Sequence, residues 1–105
     1  MNLNELAEKL GLKKDEYIEL VELLVETSHT DIAKVESAIR EQDSSEAAGA
    51  LHSIKGAAGN LGLMEIYELA KKGEHAARNL DLQEIPDVVE ELKAKLMDLS
   101  ALSNQ

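Results

Sequence analysis

The sequence predicts an all-α fold, an antiparallel four-helix bundle preceded by a short additional helix at the N-terminus. Three observations lead to this prediction. Apolar residues recur at spacings of three and four along most of the 105 residues, no segment alternates apolar and polar residues as a strand does, and Pro86 is the single proline. The length suits one domain, so we expect residues 1–105 to form a single unit.

The first predicted helix is short. Asn2 is the expected N-cap because Glu5 follows it at the spacing of a capping box, and Gly11 is the expected stop. We expect this helix to cover one end of the bundle. The residues that share its apolar face are Leu3, Leu6, Ala7 and Leu10.

The second predicted helix is the longest. It begins near Asp15 and runs for roughly 25 residues, which is about 38 Å at the rise of an α-helix. Its core-facing seam is apolar except at Ser28, and Tyr17, Leu24 and Ala38 widen it. The seam consists of Ile18, Val21, Val25, Ser28, Ile32, Val35 and Ile39.

Two further helices are predicted on either side of Gly62, which is a suitable terminator. The third begins at a cap formed by Asp43 or Ser44. The fourth runs from about Leu63 to Asn79. The apolar face of the third helix consists of Ala47, Leu51, Ile54, Ala58 and Leu61, and that of the fourth consists of Leu63, Ile66, Ala70, Gly73, Ala77 and Leu80.

The last helix follows a connection at residues 81–86. Pro86 is expected in its first turn, where a missing backbone N–H costs nothing. Residues 100–105 are expected to fray. The side chains expected to face the core are Ile85, Val89, Leu92, Leu96 and Leu99.

The composition argues against several classes of function. The formal charge is −10, with 21 acidic and 11 basic residues, which opposes binding to nucleic acid or to an anionic membrane. The absence of cysteine rules out disulfides and thiolate chemistry. No stretch has the pattern of a signal peptide or of a membrane span, so we expect a soluble cytoplasmic protein.

Residues 47–64 differ from the rest of the chain. Nearly a third of the whole sequence is charged, yet these eighteen residues contain one formal charge, on Lys55, and four of the six glycines. On a helix, one stripe of this segment joins an imidazole and an ammonium to small residues. The stripe consists of Ala48, His52, Lys55, Gly56 and Gly59.

Glycine at positions 56 and 59 costs about 2 kcal/mol in a helix relative to alanine. Two compensations are open: close packing against another helix, and access of a second protein to His52. The chemistry favours access, because neutral imidazole is a good nucleophile near neutral pH and Lys55 lies one turn away. The segment has no general acid and no base to activate water, which suits a phosphoryl carrier.

The segment from His52 to Leu63 reads HSIKGAAGNLGL. It resembles the motif of histidine-containing phosphotransfer (HPt) domains: a histidine, Lys-Gly at plus three and plus four, small residues, and Leu-Gly. The resemblance covers residues 15–100 and implies a four-helix bundle with an exposed acceptor histidine on its second long helix. His52 would be the phospho-acceptor, Lys55 would contact the phosphoryl group, and Gly56 would keep the approach open.

The resemblance also implies a polar residue on the next helix that hydrogen-bonds the acceptor ring, and Glu74 falls at the matching place. A bond to Glu74 would fix the tautomer of the ring and raise the nucleophilicity of its other nitrogen. The alternative is that Glu74 only pairs with Lys71 or Arg78. Family members carry a bulkier apolar residue near Gly73, so we expect closer packing or a local weak spot there.

The partner that the resemblance implies is the receiver domain of a response regulator or hybrid kinase, which itself supplies the acidic pocket and Mg²⁺. No cofactor and no metal on this chain are expected, nor is kinase activity with ATP, because the chain has no glycine-rich phosphate loop. We expect a monomer. The predicted partner-binding residues are Ala48, Lys55, Gly56, Gly59 and Lys71, with Lys72 and exposed parts of Leu3, Leu6 or Leu10 beside them.

Two other interpretations of the sequence compete with phosphotransfer. The serious one is a non-catalytic helical interaction module that docks receiver or kinase domains without carrying phosphate. The other is a di-metal site, because Glu26 and His29 have the Glu-x-x-His spacing of metal-binding bundles. Such a site needs a second Glu-x-x-His, and neither His52 nor His75 has a glutamate three residues before it.

Overall fold

The computed structural model describes residues 2–104 as five helices. They are α1 (Leu3–Lys9), α2 (Lys14–Glu41), α3 (Ser44–Asn60), α4 (Met64–Arg78) and α5 (Ile85–Ser103), with no strand among the described residues. Each of α2 to α5 packs against its neighbours in the cycle α2–α3–α4–α5–α2, and α1 packs on α2. The short connections make successive helices antiparallel, so the predicted four-helix bundle with an additional N-terminal helix is confirmed.

The helix ends follow the predicted local chemistry. The Oδ1 atoms of Asn2 and Asp43 accept hydrogen bonds from backbone N–H groups in the first turns of α1 and α3, at 3.2 and 3.1 Å. Gly11 and Gly62 follow α1 and α3 with φ of 72° and 73°, the left-handed conformation that lets the chain turn away from a helix. The residue ranges of the helices therefore lie close to those that the sequence predicts.

Two predicted details are wrong. Leu80 does not continue the seam of α4, because the helix ends at Arg78 and Leu80 has a left-handed φ of 61° and a 76% exposed side chain. The fraying predicted from Ser100 is also absent from the described residues, since α5 continues to Ser103. Leu99 is fully buried and Leu102 packs against the core, so burial extends the last helix.

Side chains from all five helices form the core. Within it, α3 packs between α2 and α4. Ser28, the polar break in the seam of α2, is buried at 1% exposure. Gly73 lies where α4 meets α3 and α5: a Cβ at this position would be 3.0 Å from Leu51 Cδ1 and 3.1 Å from Val88 Cγ1. The closer packing expected at Gly73 is thus present, and it brings α4 against the helix that carries His52.

Candidate functional site

The site is built on the middle of α3, where the His52 side chain is 63% exposed. Leu51 and Ile54 are buried on the opposite side of the helix and hold it in the core. Gly56, one turn after His52, faces open space: a Cβ there would meet nothing within 4 Å. The imidazole therefore lies on a surface with no large side chain at the neighbouring position 56.

Glu74 of α4 lies beside this surface and is 6% exposed. Its carboxylate has three partners. Oε2 is 3.0 Å from Nδ1 of His52 and accepts hydrogen bonds from Nε and an Nη atom of Arg78 at 3.1 and 2.7 Å. Oε1 is 2.6 Å from Nζ of Lys55. Two residues of α3 and one of α4 thus converge on one carboxylate.

These contacts determine the ionisation of Glu74. Burial raises the pKa of its carboxyl group, but hydrogen bonds from Lys55, Arg78 and His52 outweigh burial and lower the pKa to about 2. At neutral pH the group is a carboxylate and can only accept hydrogen bonds. The proton of the neutral imidazole consequently lies on Nδ1 of His52, and Nε2 carries the free lone pair.

The structure brings together His52, Lys55 and Glu74, as the resemblance to HPt domains implies. The two alternatives for Glu74 prove compatible, because it bonds the ring of His52 and also pairs with Arg78. It does not pair with Lys71, which is exposed. Lys55 is 24% exposed and contacts Glu74, so its ammonium is held beside the imidazole.

The two glycines Gly56 and Gly59 of the stripe have different surroundings. A Cβ at Gly59 would be 3.2 Å from Cδ2 of Tyr67, so this glycine lets the tyrosine ring of α4 pack closely on α3. Gly56 makes no such contact and leaves space beside His52. Close packing against Tyr67 explains the glycine at position 59, whereas the glycine at position 56 borders open space.

Two of the predicted docking residues have almost no surface. Ala48 is 2% exposed and Leu3 is 5% exposed, so the prediction that they present surface to a partner is wrong. For Ala48 the reason is that α3 packs against both α2 and α4, which widens its buried face beyond the single predicted stripe. Leu6 is partly buried and Leu10 is 43% exposed.

Sequence reasoning missed two features of the site. The sequence predicts Arg78 only as a rival partner of Glu74, although its position four residues later on the same helix allows both roles. The predicted stripe also lacks Gly49, which lies one turn before His52 and where a Cβ would meet nothing within 4 Å. Its spacing of three from His52 was the available signal.

A shallow cleft opens next to Glu74. It is lined by Lys55, Glu68, Lys71, Lys72, Glu74, His75 and Arg78. Across residues 2–104 no group of three or more histidine and carboxylate side chains is arranged to hold a metal ion. Within the same range no helix is both long and apolar enough to cross a bilayer.

Comparisons with known proteins agree with this geometry. The chain matches the family model of the Hpt domain over residues 19–102. It is also similar to the crystal structure of histidine-containing phosphotransfer protein B (HptB) from Pseudomonas aeruginosa PAO1, with a TM-score of 0.84 and 26% sequence identity. That alignment covers 95% of this chain and 87% of the HptB chain. No sequence among the curated proteins matches significantly. The chain therefore belongs to the Hpt domain family, the histidine phosphotransfer proteins of phosphorelays.

Proposed function

We propose that His52 is the phospho-acceptor of this Hpt domain and that it exchanges the phosphoryl group with an aspartate of a receiver domain. The observation that carries the proposal is the hydrogen bond between Nδ1 of His52 and Glu74, together with the exposure of the ring. An exposed Nε2 with a free lone pair is the nucleophile that such a transfer requires.

The proposed step needs no proton transfer. The lone pair on Nε2 of His52 attacks the phosphorus of the receiver's aspartyl phosphate and forms an N–P bond. The bond between phosphorus and the aspartyl oxygen breaks, and its electron pair stays on the aspartate as a carboxylate. The imidazole keeps its Nδ1 proton and becomes positively charged, and the carboxylate of Glu74 offsets that charge. The reverse transfer uses the same atoms.

Lys55 and Gly56 have supporting roles in this proposal. The ammonium of Lys55 lies one turn from His52 and would neutralise part of the charge of the phosphoryl group. The open space at Gly56 would admit the receiver's active-site edge to within bonding distance of Nε2. Proteins of this family interact with receiver domains, and the proposal makes the receiver, not this chain, the source of Mg²⁺.

The test is phosphotransfer from a receiver domain labelled with a small-molecule phosphodonor in the presence of Mg²⁺. Wild type, His52→Gln and His75→Gln are compared, because His75 is an exposed histidine of the neighbouring helix and serves as a matched control. We expect acid-labile, base-stable label on wild type and on His75→Gln, and none on His52→Gln.

Two outcomes would contradict the proposal. Label on His52→Gln would mean that another histidine is the acceptor. A wild-type protein that binds several labelled receivers but takes up no label would instead be the docking module that the sequence left as the alternative.

A further inference from the structure

We propose that Arg78 is a positioning residue for phosphotransfer: it holds Glu74 in place while Lys55 leaves Glu74 for the phosphoryl group on His52. The inference rests on the proposed function, since it concerns the phosphorylated state of His52. The two oxygens of Glu74 are divided among three donors.

Lys55 bonds a different oxygen of Glu74 from the one that His52 and Arg78 bond. Lys55 contacts Oε1 alone, at 2.6 Å. His52 and Arg78 share Oε2, at 3.0 Å for the ring nitrogen and 2.7 Å for the guanidinium. Departure of Lys55 therefore leaves the acceptor of the Nδ1 proton untouched, and the tautomer of His52 is preserved.

The two cations also differ in how they are held. Arg78 bonds Oε2 through both Nε and an Nη atom, at 3.1 and 2.7 Å, so two charge-assisted hydrogen bonds anchor this oxygen. Lys55 makes a single contact at the end of a flexible stem, and its ammonium is a compact charge that moves readily. Both side chains reach solvent, at 24% exposure for Lys55 and 59% for Arg78.

The need for Arg78 follows from the burial of Glu74. The Glu74 side chain is 8% exposed, and removing the partner of a buried charge is strongly unfavourable. With Arg78 present, the carboxylate of Glu74 still has one cationic partner when Lys55 turns to the phosphoryl group. Without Arg78, Lys55 is the remaining cationic side chain on Glu74. The positive charge that the ring gains on phosphorylation lies beside the phosphoryl dianion and does not replace Lys55, so Lys55 stays on Glu74 and the phosphoryl group lacks its cation.

The surrounding groups do not replace Arg78. The cleft also contains Glu68, Lys71, Lys72 and His75 from α4, and none of these forms a salt bridge with Glu74 among the described residues. Lys72 instead contacts Glu84 at 3.6 Å. Arg78 is therefore the cationic side chain, besides Lys55, that pairs with Glu74 among the described residues.

The experiment follows Lys55 and the phosphoryl group by NMR in the receiver-phosphorylated protein. The variants are Arg78→Gln, Arg78→Lys and Lys55→Gln. In wild type we expect the ¹H–¹⁵N signal of the Lys55 ammonium to shift on phosphorylation. We also expect the ³¹P signal of the phosphohistidine to titrate at lower pH than in Lys55→Gln, because a nearby cation favours the phosphoryl dianion.

Arg78→Gln is expected to abolish the Lys55 shift, to titrate like Lys55→Gln, and to slow transfer about 10- to 100-fold, as loss of a supporting residue typically does. Arg78→Lys is expected to restore both signals. The Nδ1 proton of unphosphorylated His52 is expected to persist in Arg78→Gln, because Glu74 still accepts it.

Wild-type behaviour of Arg78→Gln in both NMR readouts would overturn the inference, even if the variant were less stable. The variant Lys55→Gln/Arg78→Gln gives a second check, since the inference predicts no further change in the ³¹P titration relative to Lys55→Gln. If wild type gives no phosphohistidine signal assignable to His52, the proposed function itself fails, which is a different result.

Discussion

At the scale of single residues, the site depends on a carboxylate whose charge is coupled to folding. Glu74 has a pKa lowered to about 2 from its ordinary value of 4.5, because the donors Lys55, Arg78 and His52 outweigh the effect of burial. A carboxyl group whose pKa is lower in the folded than in the unfolded state stabilises the fold above its unfolded pKa. That stabilisation is lost as the pH falls from about 4.5 towards 2.

Replacing Glu74 by Gln should therefore cost stability in a pH-dependent way. At pH 7 we expect the free energy of unfolding of Glu74→Gln to be lower than that of wild type by on the order of 1 to 3 kcal/mol, allowing for the exposure of Arg78. The difference should shrink between pH 4.5 and pH 2, because in this range the carboxyl group of unfolded wild type takes up a proton while that of the folded protein is still largely ionised. Urea denaturation across this pH range measures it.

Glu22→Gln is the control for that measurement, because Glu22 is exposed on α2 and forms none of the salt bridges found among residues 2–104. It should change stability little at any pH. A difference between wild type and Glu74→Gln that is the same at pH 7 and at pH 2.5 would contradict the coupling of the Glu74 charge to folding.

Single residues also mark the limit of what the sequence could predict. His52, Lys55 and Gly56 share a face of one helix, so periodicity alone groups them. Glu74 was predicted only through the resemblance, because its distance from His52 depends on how α4 is rotated against α3. That rotation is set by Tyr67 on Gly59 and by Gly73 against Leu51, contacts that no local pattern encodes.

At the scale of the helices, two glycines with the same intrinsic cost have opposite surroundings. A Cβ at Gly73 of α4 would be 3.0 Å from Leu51 Cδ1, whose side chain is fully buried. A Cβ at Gly56 of α3 would meet nothing within 4 Å. The first glycine is required by packing between helices, and the second is not.

Alanine substitution at these two positions should change stability in opposite directions. Gly56→Ala is expected to raise the free energy of unfolding by about 1 kcal/mol, the gain in helix propensity. Gly73→Ala gains the same propensity but crowds Leu51 and Val88, and crowding of a packed core costs about 1 to 3 kcal/mol, so we expect a net loss. Urea denaturation of both variants at one pH gives the comparison.

Gly49→Ala is a further control, since this position is also in a helix and a Cβ there would meet nothing within 4 Å. It should resemble Gly56→Ala. Stabilisation by Gly73→Ala as large as that by Gly56→Ala would show that α4 can move away from α3 at little cost.

Some helix ends are determined by nearby residues in the sequence, and others by packing against distant parts of the chain. The caps Asn2 and Asp43 and the terminators Gly11 and Gly62 were predicted correctly because side-chain chemistry within a few residues determines them. The continuation of α5 to Ser103 was not predicted, because it depends on the burial of Leu99 and on the packing of Leu102 against the core. Those contacts come from other parts of the chain.

At the scale of the whole molecule, the charge is unevenly distributed. The net charge is −10, yet four of the 11 basic residues, Lys55, Lys71, Lys72 and Arg78, line the cleft beside His52. A receiver presents an acidic pocket, so the average charge of this chain opposes the encounter while the cleft favours it. Local charge dominates at short range because salt screens interactions beyond about 10 Å at 0.1 M.

Reversing the charge of Lys71 and Lys72 should therefore slow association with a receiver. The control is Lys13→Glu/Lys14→Glu, which changes the net charge by the same amount at the start of α2. Tyr17, one turn into that helix, bonds the backbone of Leu61, nine residues along the chain from His52, and neither Lys13 nor Lys14 lines the cleft. Added acidic charge at a helix N-terminus is also tolerated.

We expect Lys71→Glu/Lys72→Glu to lower the association rate constant at low ionic strength several-fold more than the control does, and the two to converge in high salt. Stopped-flow mixing with a receiver over a range of salt concentrations measures this. Equal rates for the two variants at low salt would mean that the receiver responds to the net charge of the molecule and not to the cleft. In that case the surface around His52 would have to recognise its partner through shape and apolar contact, with Gly56 and the rim of the imidazole as the contacts that matter.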